Sequence, residues 1–510
     1  VDKMMDIIKN TFKMMGTLKA VTLLLFLTIV SGCDFLNEDP RSTITTENFY
    51  QTESDAIFAT NALYDYLTVG TSGIFEPSFG GIFFNDYWVI HDLVSDNALE
   101  KLTGQVYRNL ANFDHTPDNF RIELYWQDLY KTINAANTVI DKVPPIEFNE
   151  MRKQHLISEA RFIRAMMYFE ATRMFGDVPL MLDATTDVAN SYKSREAQSV
   201  IYGEIVKDLE FAEQNLSTTF RVGNGRPTPL AATALLAKAY LYSGEYELAA
   251  EKAKEVIDSE EYYLWEDFAD IFKIDNMNEG EVIFAVNFSG TLSEGFKPNQ
   301  YLVRLLPSGI NQNNEGPENA HGWEVPTEDL YNSFDNRDRR KEVTFIESYT
   351  YSDGSTVTFE PHFGKFWDQE AEPRANNTDM DVIYLRYADI LLIYAEALNE
   401  INNGPNPAAY DAINQVRKRA RFDGESELNI LPDLANLTYQ EFKDAILEER
   451  RWEFVMEGER WGDLVRMGKL VEKVVASGKA NATPTETHYL FPIPQRERNI
   501  NKNLSQNEGY

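Results

Sequence analysis

The stretch "PLAATALLAKAYLYSGEYELAAEKAKEVI", residues 229–257, decides the architecture. Leu230, Ala234, Ala237 and Leu241 recur every three or four residues and line one face of a helix. Gly244 interrupts the pattern, and Tyr246, Ala249, Ala253 and Val256 line the next helix. A glycine between two apolar faces of helical period predicts two helices folded back on each other. Alanines on both faces let the backbones approach closely.

A second stretch has the same grammar. In "RYADILLIYAEALNE", 386–400, the apolar residues run almost all round; "NGPNP" follows, and then "AAYDAINQVRKRA", 408–420. Asn406 is placed to cap the second helix, with Pro407 at its first turn. Each pair resembles a tetratricopeptide repeat, two helices with small residues at the crossing and a turn between them. Further helices are expected over "HLISEARFIRAMMYFEATRMFGDVPL", 155–180, with Leu156, Ala160, Ile163, Met167 and Met174 on one face and a stop at Gly176 and Pro179. Residues 54–67 and 125–143 read the same way. Another helix starts at Thr438, where Glu441 completes a capping box, and runs on through "FKDAILEERRWEFVMEGERWGDLVRMG".

Between the helices lie long irregular stretches at 70–90, 289–326 and 348–380, the last with strand-like turns. Connections of this length are uncommon in compact domains and often carry function. The expected fold is therefore mostly α: a tetratricopeptide-like helical-repeat scaffold with a loop-rich, ligand-binding half.

The amino-terminal region carries a separate signal. Lys13 and Lys19 precede the apolar run Ala20–Val30, which is too short for a comfortable membrane span and suits a secretory leader. Val30-Ser31-Gly32-Cys33 follows and resembles a bacterial lipobox, and Cys33 is the one cysteine among 510 residues. We expect a leader over 1–32, lipidation at Cys33 and an acidic tether over 33–45, since several acyl chains on one residue give stable anchoring. Acidic residues just after such a cysteine resemble surface-export signals of Bacteroidota lipoproteins, which points to the outer membrane and the cell surface. The remaining boundaries are an amino-terminal region over 46–230 and a carboxy-terminal region over 231–510, intertwined in one unit.

Composition narrows the function. A formal net charge of −33 disfavours nucleic acid. One cysteine cannot build a disulfide framework or a thiolate metal site within the chain. The six histidines show no close metal-ligand spacing, so no metal and no cofactor are expected. There is no G-x-S-x-G elbow and no phosphate loop. "GNGRPT", 223–228, starts like a dinucleotide fingerprint, but Pro227 removes an amide that a phosphate would need; it reads as a loop capping the helix that follows. "EERRWEF" and "EGERWGDL" read as helical ion pairs, and Arg386, Asp389 and Glu396 as buried pairs. Aromatic residues are 13% of the chain. Most belong in the core, yet such rings also stack on sugars.

Nine segments, in order, resemble the RagB/SusD family of surface nutrient-binding lipoproteins: "EARFIRAMMYFEATRMFGDVPL", "GRPTPLAATALLAKAYLYSGEYELAAEKAKEVI", "NEGEVIFAV", "DNRDRRKE", "YLRYADILLIYAEALNE", "INQVRKRA", "ILEERRWEFVMEGERWGDLVRMG", "FPIPQRE" and "NKNLSQNEGY". The resemblance implies four tetratricopeptide-like helix pairs and a looser half that holds the ligand. It implies an oligosaccharide-binding, non-enzymatic lipoprotein that delivers ligand to a SusC-like TonB-dependent transporter. The alternatives are a peptide-binding member of the same family or a surface-anchored glycoside hydrolase. Ligand contacts in the family lie in variable loops, so the candidates come from chemistry: an aromatic platform beside amide, carboxylate or guanidinium groups. Asp96, Asn97, Tyr107 and Arg108 form one set, Asn319 and Trp323 a second, and Phe366 and Trp367 a third. Trp126, Trp265, Trp452 and Trp461 are assigned to the core.

Overall fold

A row of seven helices, each packed on the next in chain order, forms the scaffold: α1 (Phe120–Lys142), α2 (Glu150–Phe175), α3 (Gln198–Asn215), α4 (Pro229–Ser243), α5 (Tyr246–Asp258), α6 (Tyr387–Asn402) and α7 (Pro407–Ala420). An eighth, α8 (Tyr439–Glu453), packs on α6. The computed structural model describes residues 3–15, 49–68, 81–101, 104–187, 191–219, 225–288, 299–312, 315–317, 319–370 and 378–510. Its contacts divide the chain into Val1–Asp55 and Ala56–Tyr510. In the first unit residues 3–15 are helical. Cys33, with the expected leader cleavage point and tether, lies outside the described residues, and no described helix is long and apolar enough to cross a membrane.

The mostly helical, repeat-like fold matches the sequence reading, and the caps explain the boundaries. Thr228 accepts from the Ala231 amide with Pro229 in the first turn, and Gly244 closes α4 in the left-handed conformation (φ +79°). Asn406 caps α7 in the same way, and Thr438 and Glu441 form the capping box of α8. The boundary expected at 230/231 falls inside α4. Several helices escape the sequence reading, and two of them show why. Helix α3 buries Ile201, Ile205, Leu209 and Ala212, a spacing of four, four and three residues visible in the sequence. Tyr87–Leu93, inside a stretch read as irregular, is a helix with all seven residues buried. Full burial removes the polar face that would have given it a period.

Helices α5 and α6 are neighbours although 128 residues separate them in the chain. That insertion, with the segments around 81–112, builds the irregular half. Its sheets are all two-stranded and antiparallel: β1 (Ala98–Glu100) with β3 (Glu324–Pro326), β2 (Val282–Val286) with β6 (Val382–Arg386), and the hairpin β4 (Phe345–Thr350) with β5 (Thr356–Phe363).

Buried ion pairs join the two halves. Arg386 meets Glu281 and Glu453 at 2.6 Å and Glu457 at 2.7 Å. Arg340 meets Glu449 at 2.7 Å and Glu453 at 3.2 Å, and Arg419 pairs with Glu281 and Glu453. A second cluster joins Lys238 to Asp389 and Glu459, and Arg450 to Asp389 and Asp463. Burial opposes the charge on Glu453 and Asp389, but the cations around each outweigh it and hold both carboxyls well below the usual carboxylate range. The pairing expected for Arg386, Asp389 and Glu396 is present, the last with Arg466. Trp126 and Trp461 are core residues. Trp265 and Trp452 are not: both are only half-buried, Trp452 donating its indole N–H to Ser333 Oγ at 3.1 Å. Ion-pair spacing fixes which residues share a helix face and leaves open whether that face is covered.

Candidate functional site

The short β1–β3 ladder places the site. Glu100 faces Glu324, and the ladder extends one step further, with the Lys101 amide donating to the Trp323 carbonyl at 2.6 Å. Residues opposed on an antiparallel ladder share a face, so Lys101 and Trp323 stand side by side. Trp323 is half-buried and Lys101 exposed. His321, also exposed, stacks on the Trp323 indole with centroids 4.8 Å apart and planes 11° apart. Gly322 lies between them at φ +56°, and a Cβ there would stand 2.6 Å from the His362 ring. A glycine is thus needed both for the turn and for the approach of His362. Burial lowers the His362 pKa.

Beneath the stack lies a neutralised cation. The Arg304 guanidinium sits 5.0 Å from the Trp323 ring and 4.3 Å from the Tyr107 ring. Glu324 accepts from Arg304 Nε at 3.0 and 3.1 Å, and Glu100 lies 3.7 Å from Nη2. Burial works against the Arg304 charge, but Glu324 outweighs it and the guanidinium stays protonated. Tyr107 accepts from Asn85 Nδ2 at 2.9 Å, and burial pushes its hydroxyl up to about 12. Asn85 and Asp86 come from a π-helical turn, Ile82–Asp86, and Arg121 reaches Asp86 at 3.4 Å and lies 4.8 Å over Tyr107. Such turns project side chains at unusual angles and recur at functional sites.

The candidates read from the sequence divide clearly. Tyr107 and Trp323 converge on Arg304. Asn319 is exposed just before His321, and Arg108 is half-buried on the helix that carries Tyr107. Asp96 and Asn97 are 1% and 0% exposed. Asp96 is gripped by Arg460 through two 2.7 Å bonds and lies 3.2 Å from Arg451, while Asn97 Oδ1 accepts from Arg451. Burial opposes the Asp96 charge, but the two arginines hold its pKa far below the carboxylate range. This pair anchors the loop to residues 451–460 and offers no ligand a surface. Phe366 is buried against Tyr301, stacked at 3.9 Å, and Trp367 is buried among Leu302, Leu306, Ile310, Ala320 and Ile346. These two support the loop that carries His321 and Trp323 from below. The sequence reading missed Arg304, Glu324, Lys101 and His362. A lone arginine in the apolar run Tyr301–Leu306 was the available signal, because such a charge needs a buried partner.

Chemically, the site offers an aromatic stack with an exposed outer ring, Lys101 opposite Trp323 on the ladder, exposed Asn319 two residues before His321 in the chain, and charges below already paired. Among the described residues no group of three or more metal-ligating side chains occurs.

Two family models match the chain: one described as the SusD family over residues 347–510, and one described as starch-binding, associating with outer membrane, over 82–241. SusD-like protein P25 of Formosa agariphila is 28% identical over 97% of this chain and 100% of its own. A SusD superfamily protein of Parabacteroides distasonis has a solved structure that is 27% identical, with a TM-score of 0.77 over 92% of this chain and 100% of its own. Surface glycan-binding protein A of Bacteroides thetaiotaomicron, solved in complex with laminarihexaose, shares the fold at 22% identity, with a TM-score of 0.72 over 90% of this chain and 100% of its own. The seven-helix row, the buried ion pairs of the resembling segments and these matches point the same way: over nearly its whole length the chain is similar to the SusD/RagB family.

Proposed function

We propose that the protein binds oligosaccharides at the cell surface and hands them, unchanged, to a SusC-like TonB-dependent transporter while anchored in the outer membrane through lipid on Cys33. The His321–Trp323 stack carries this reading. It is an aromatic surface in the irregular half, held by Arg304 and Gly322, with Lys101 opposite Trp323 on the ladder and exposed Asn319 two residues before His321 in the chain. Sugar C–H faces pack on such rings, while hydroxyls find amine and amide partners. The starch-binding description of one matching family model and the laminarihexaose bound by a structural neighbour support a saccharide over a peptide.

Calorimetry against starch- and laminarin-derived oligosaccharides, a wider glycan array and a peptide library tests the reading. Saturable saccharide binding, weakened by Trp323→Ala and without release of shorter products, is expected. Binding of peptides alone, or hydrolysis abolished by one carboxylate substitution, would overturn it. Co-purification with a TonB-dependent barrel from outer membranes tests the partner.

A further inference from the structure

A cleft of about 310 Å3 opens where the loop before α4 meets the segment leading into β2. It shares no lining residue with the His321–Trp323 site. We propose that it is a second saccharide subsite, taking a short neutral oligosaccharide.

The walls are built and fixed. Gly225 has φ +74°, and a Cβ there would stand 2.1 Å from Asn287 Oδ1. Its amide donates to Asn278 Oδ1 at 3.1 Å, and Asn278 Nδ2 donates to Asp381 at 2.9 Å. Arg226 donates to Glu159 at 2.6 Å and Asn61 at 2.7 Å and lies 3.8 Å over the Tyr64 ring, so its charge is already met. The "GNGRPT" stretch therefore forms a cleft wall as well as a helix cap.

The third wall is aromatic. Tyr262 lines the cleft half-buried, Tyr263 beyond it is 51% exposed, and Trp265 is half-buried with its ring 5.4 Å from that of Tyr263. This run is fastened to the opposite wall: Tyr263 N–H donates to the Gly280 carbonyl at 3.2 Å, and a Cβ on Gly280 would stand 2.6 Å from the Trp265 indole. Rings held half in solvent by a glycine contact are preorganised for a ligand face.

The polar groups select its class. The Thr228 and Tyr262 hydroxyls stand 3.4 Å apart and Thr218 adds a third. Glu261 and Glu279 are exposed in the lining, and among the described residues neither meets a cation. Carboxylates only accept hydrogen bonds, while hydroxyls do both, which suits the vicinal hydroxyls of a sugar lying on Tyr262. Two uncompensated carboxylates in a chain of net charge −33 repel sulfated or uronic sugars. The volume is at the lower end of the roughly 300–1,000 Å3 range of ligand clefts, which limits the occupant to a short saccharide.

Thr218 is exposed, so Thr218→Trp fills the cleft without entering the core; unchanged melting checks the fold. Laminarihexaose and maltoheptaose are titrated into the purified chain as wild type, Trp323→Ala, Thr218→Trp, Glu279→Gln and the Trp323→Ala/Thr218→Trp double variant. We expect the Trp323→Ala chain to keep a residual isotherm, weakened at least tenfold by adding Thr218→Trp and severalfold by Glu279→Gln. Thr218→Trp alone should leave the tighter site within twofold. No residual binding after Trp323→Ala, or a residual isotherm indifferent to Thr218→Trp, overturns the proposal. So does capture of a lysine-rich peptide that Thr218→Trp blocks, which would assign the cleft to a basic peptide. If Trp323→Ala changes nothing, the first site fails instead, and the Thr218→Trp arm still reads the cleft.

Discussion

Asp96→Asn separates an anchor from a ligand contact. Asp96 is 1% exposed, and its two carboxylate oxygens take two 2.7 Å bonds from Arg460, itself 2% exposed, with Arg451 3.2 Å away. Removing the charge leaves Arg460 buried, with the Leu447 carbonyl as its remaining hydrogen-bond partner among the described residues. Breaking a buried pair by removing one member costs about 3–5 kcal/mol. The amide keeps one acceptor, so the lower end, about 3 kcal/mol, is expected. The pH dependence has a definite sign. The folded-state pKa of Asp96 is depressed, so its stabilisation is complete above the unfolded value of about 3.9 and lost as pH falls below it. The stability difference between wild type and Asp96→Asn should therefore be constant from pH 6 to 8 and shrink below about pH 4. Urea unfolding followed by tryptophan fluorescence measures the midpoint shift, and calorimetry measures saccharide affinity in parallel. An unchanged midpoint with lost affinity would refute the anchoring role and return Asp96 to the ligand face.

Three further outcomes are expected. Trp323→Ala should weaken saccharide binding roughly 5- to 70-fold, from about 1–2.5 kcal/mol of lost ring contact, with the melting temperature nearly unchanged because the ring is half exposed. Glu453→Gln should lower the unfolding midpoint by the equivalent of about 3 kcal/mol or more, because Arg386, Arg340 and Arg419 all converge on that carboxylate; an unchanged denaturation curve would count against the network. Cys33→Ala should release the protein from the outer membrane or leave it unprocessed while the circular dichroism of the fold persists; continued normal anchoring would exclude lipidation there.

The repeat scaffold was legible because its signals are local. Apolar residues at helical spacing, Gly244 at a turn, Asn406 before Pro407 and Thr438 three residues before Glu441 each act within a few positions and set helix starts and turns where expected; the helix from Thr438, expected to run on through residue 468, instead ends at Glu453, and Arg460–Arg466 is a separate helix. Helix α3 carried the same kind of signal and was overlooked. Tyr87–Leu93 carried none, since a helix buried on all sides has no polar face to mark its period.

The sites were legible only as a chemistry. Tyr107 and Trp323 were named from their residue type, but what joins them is Arg304, about 200 residues from one and held by a carboxylate on β3. Asp96, Asn97, Phe366 and Trp367 have the same composition as a sugar site and are spent on packing, while Trp265, assigned to the core, stands at the edge of a cleft. Residue type and spacing thus determined by themselves most of the scaffold helices, their caps and the likeness to the SusD-like family. Which faces are covered depends on segments brought together from across the chain, such as residues 81–112 against 299–326 and 451–460. Burial is a property of those long-range contacts, so only the tertiary structure could decide which aromatic and charged side chains face solvent.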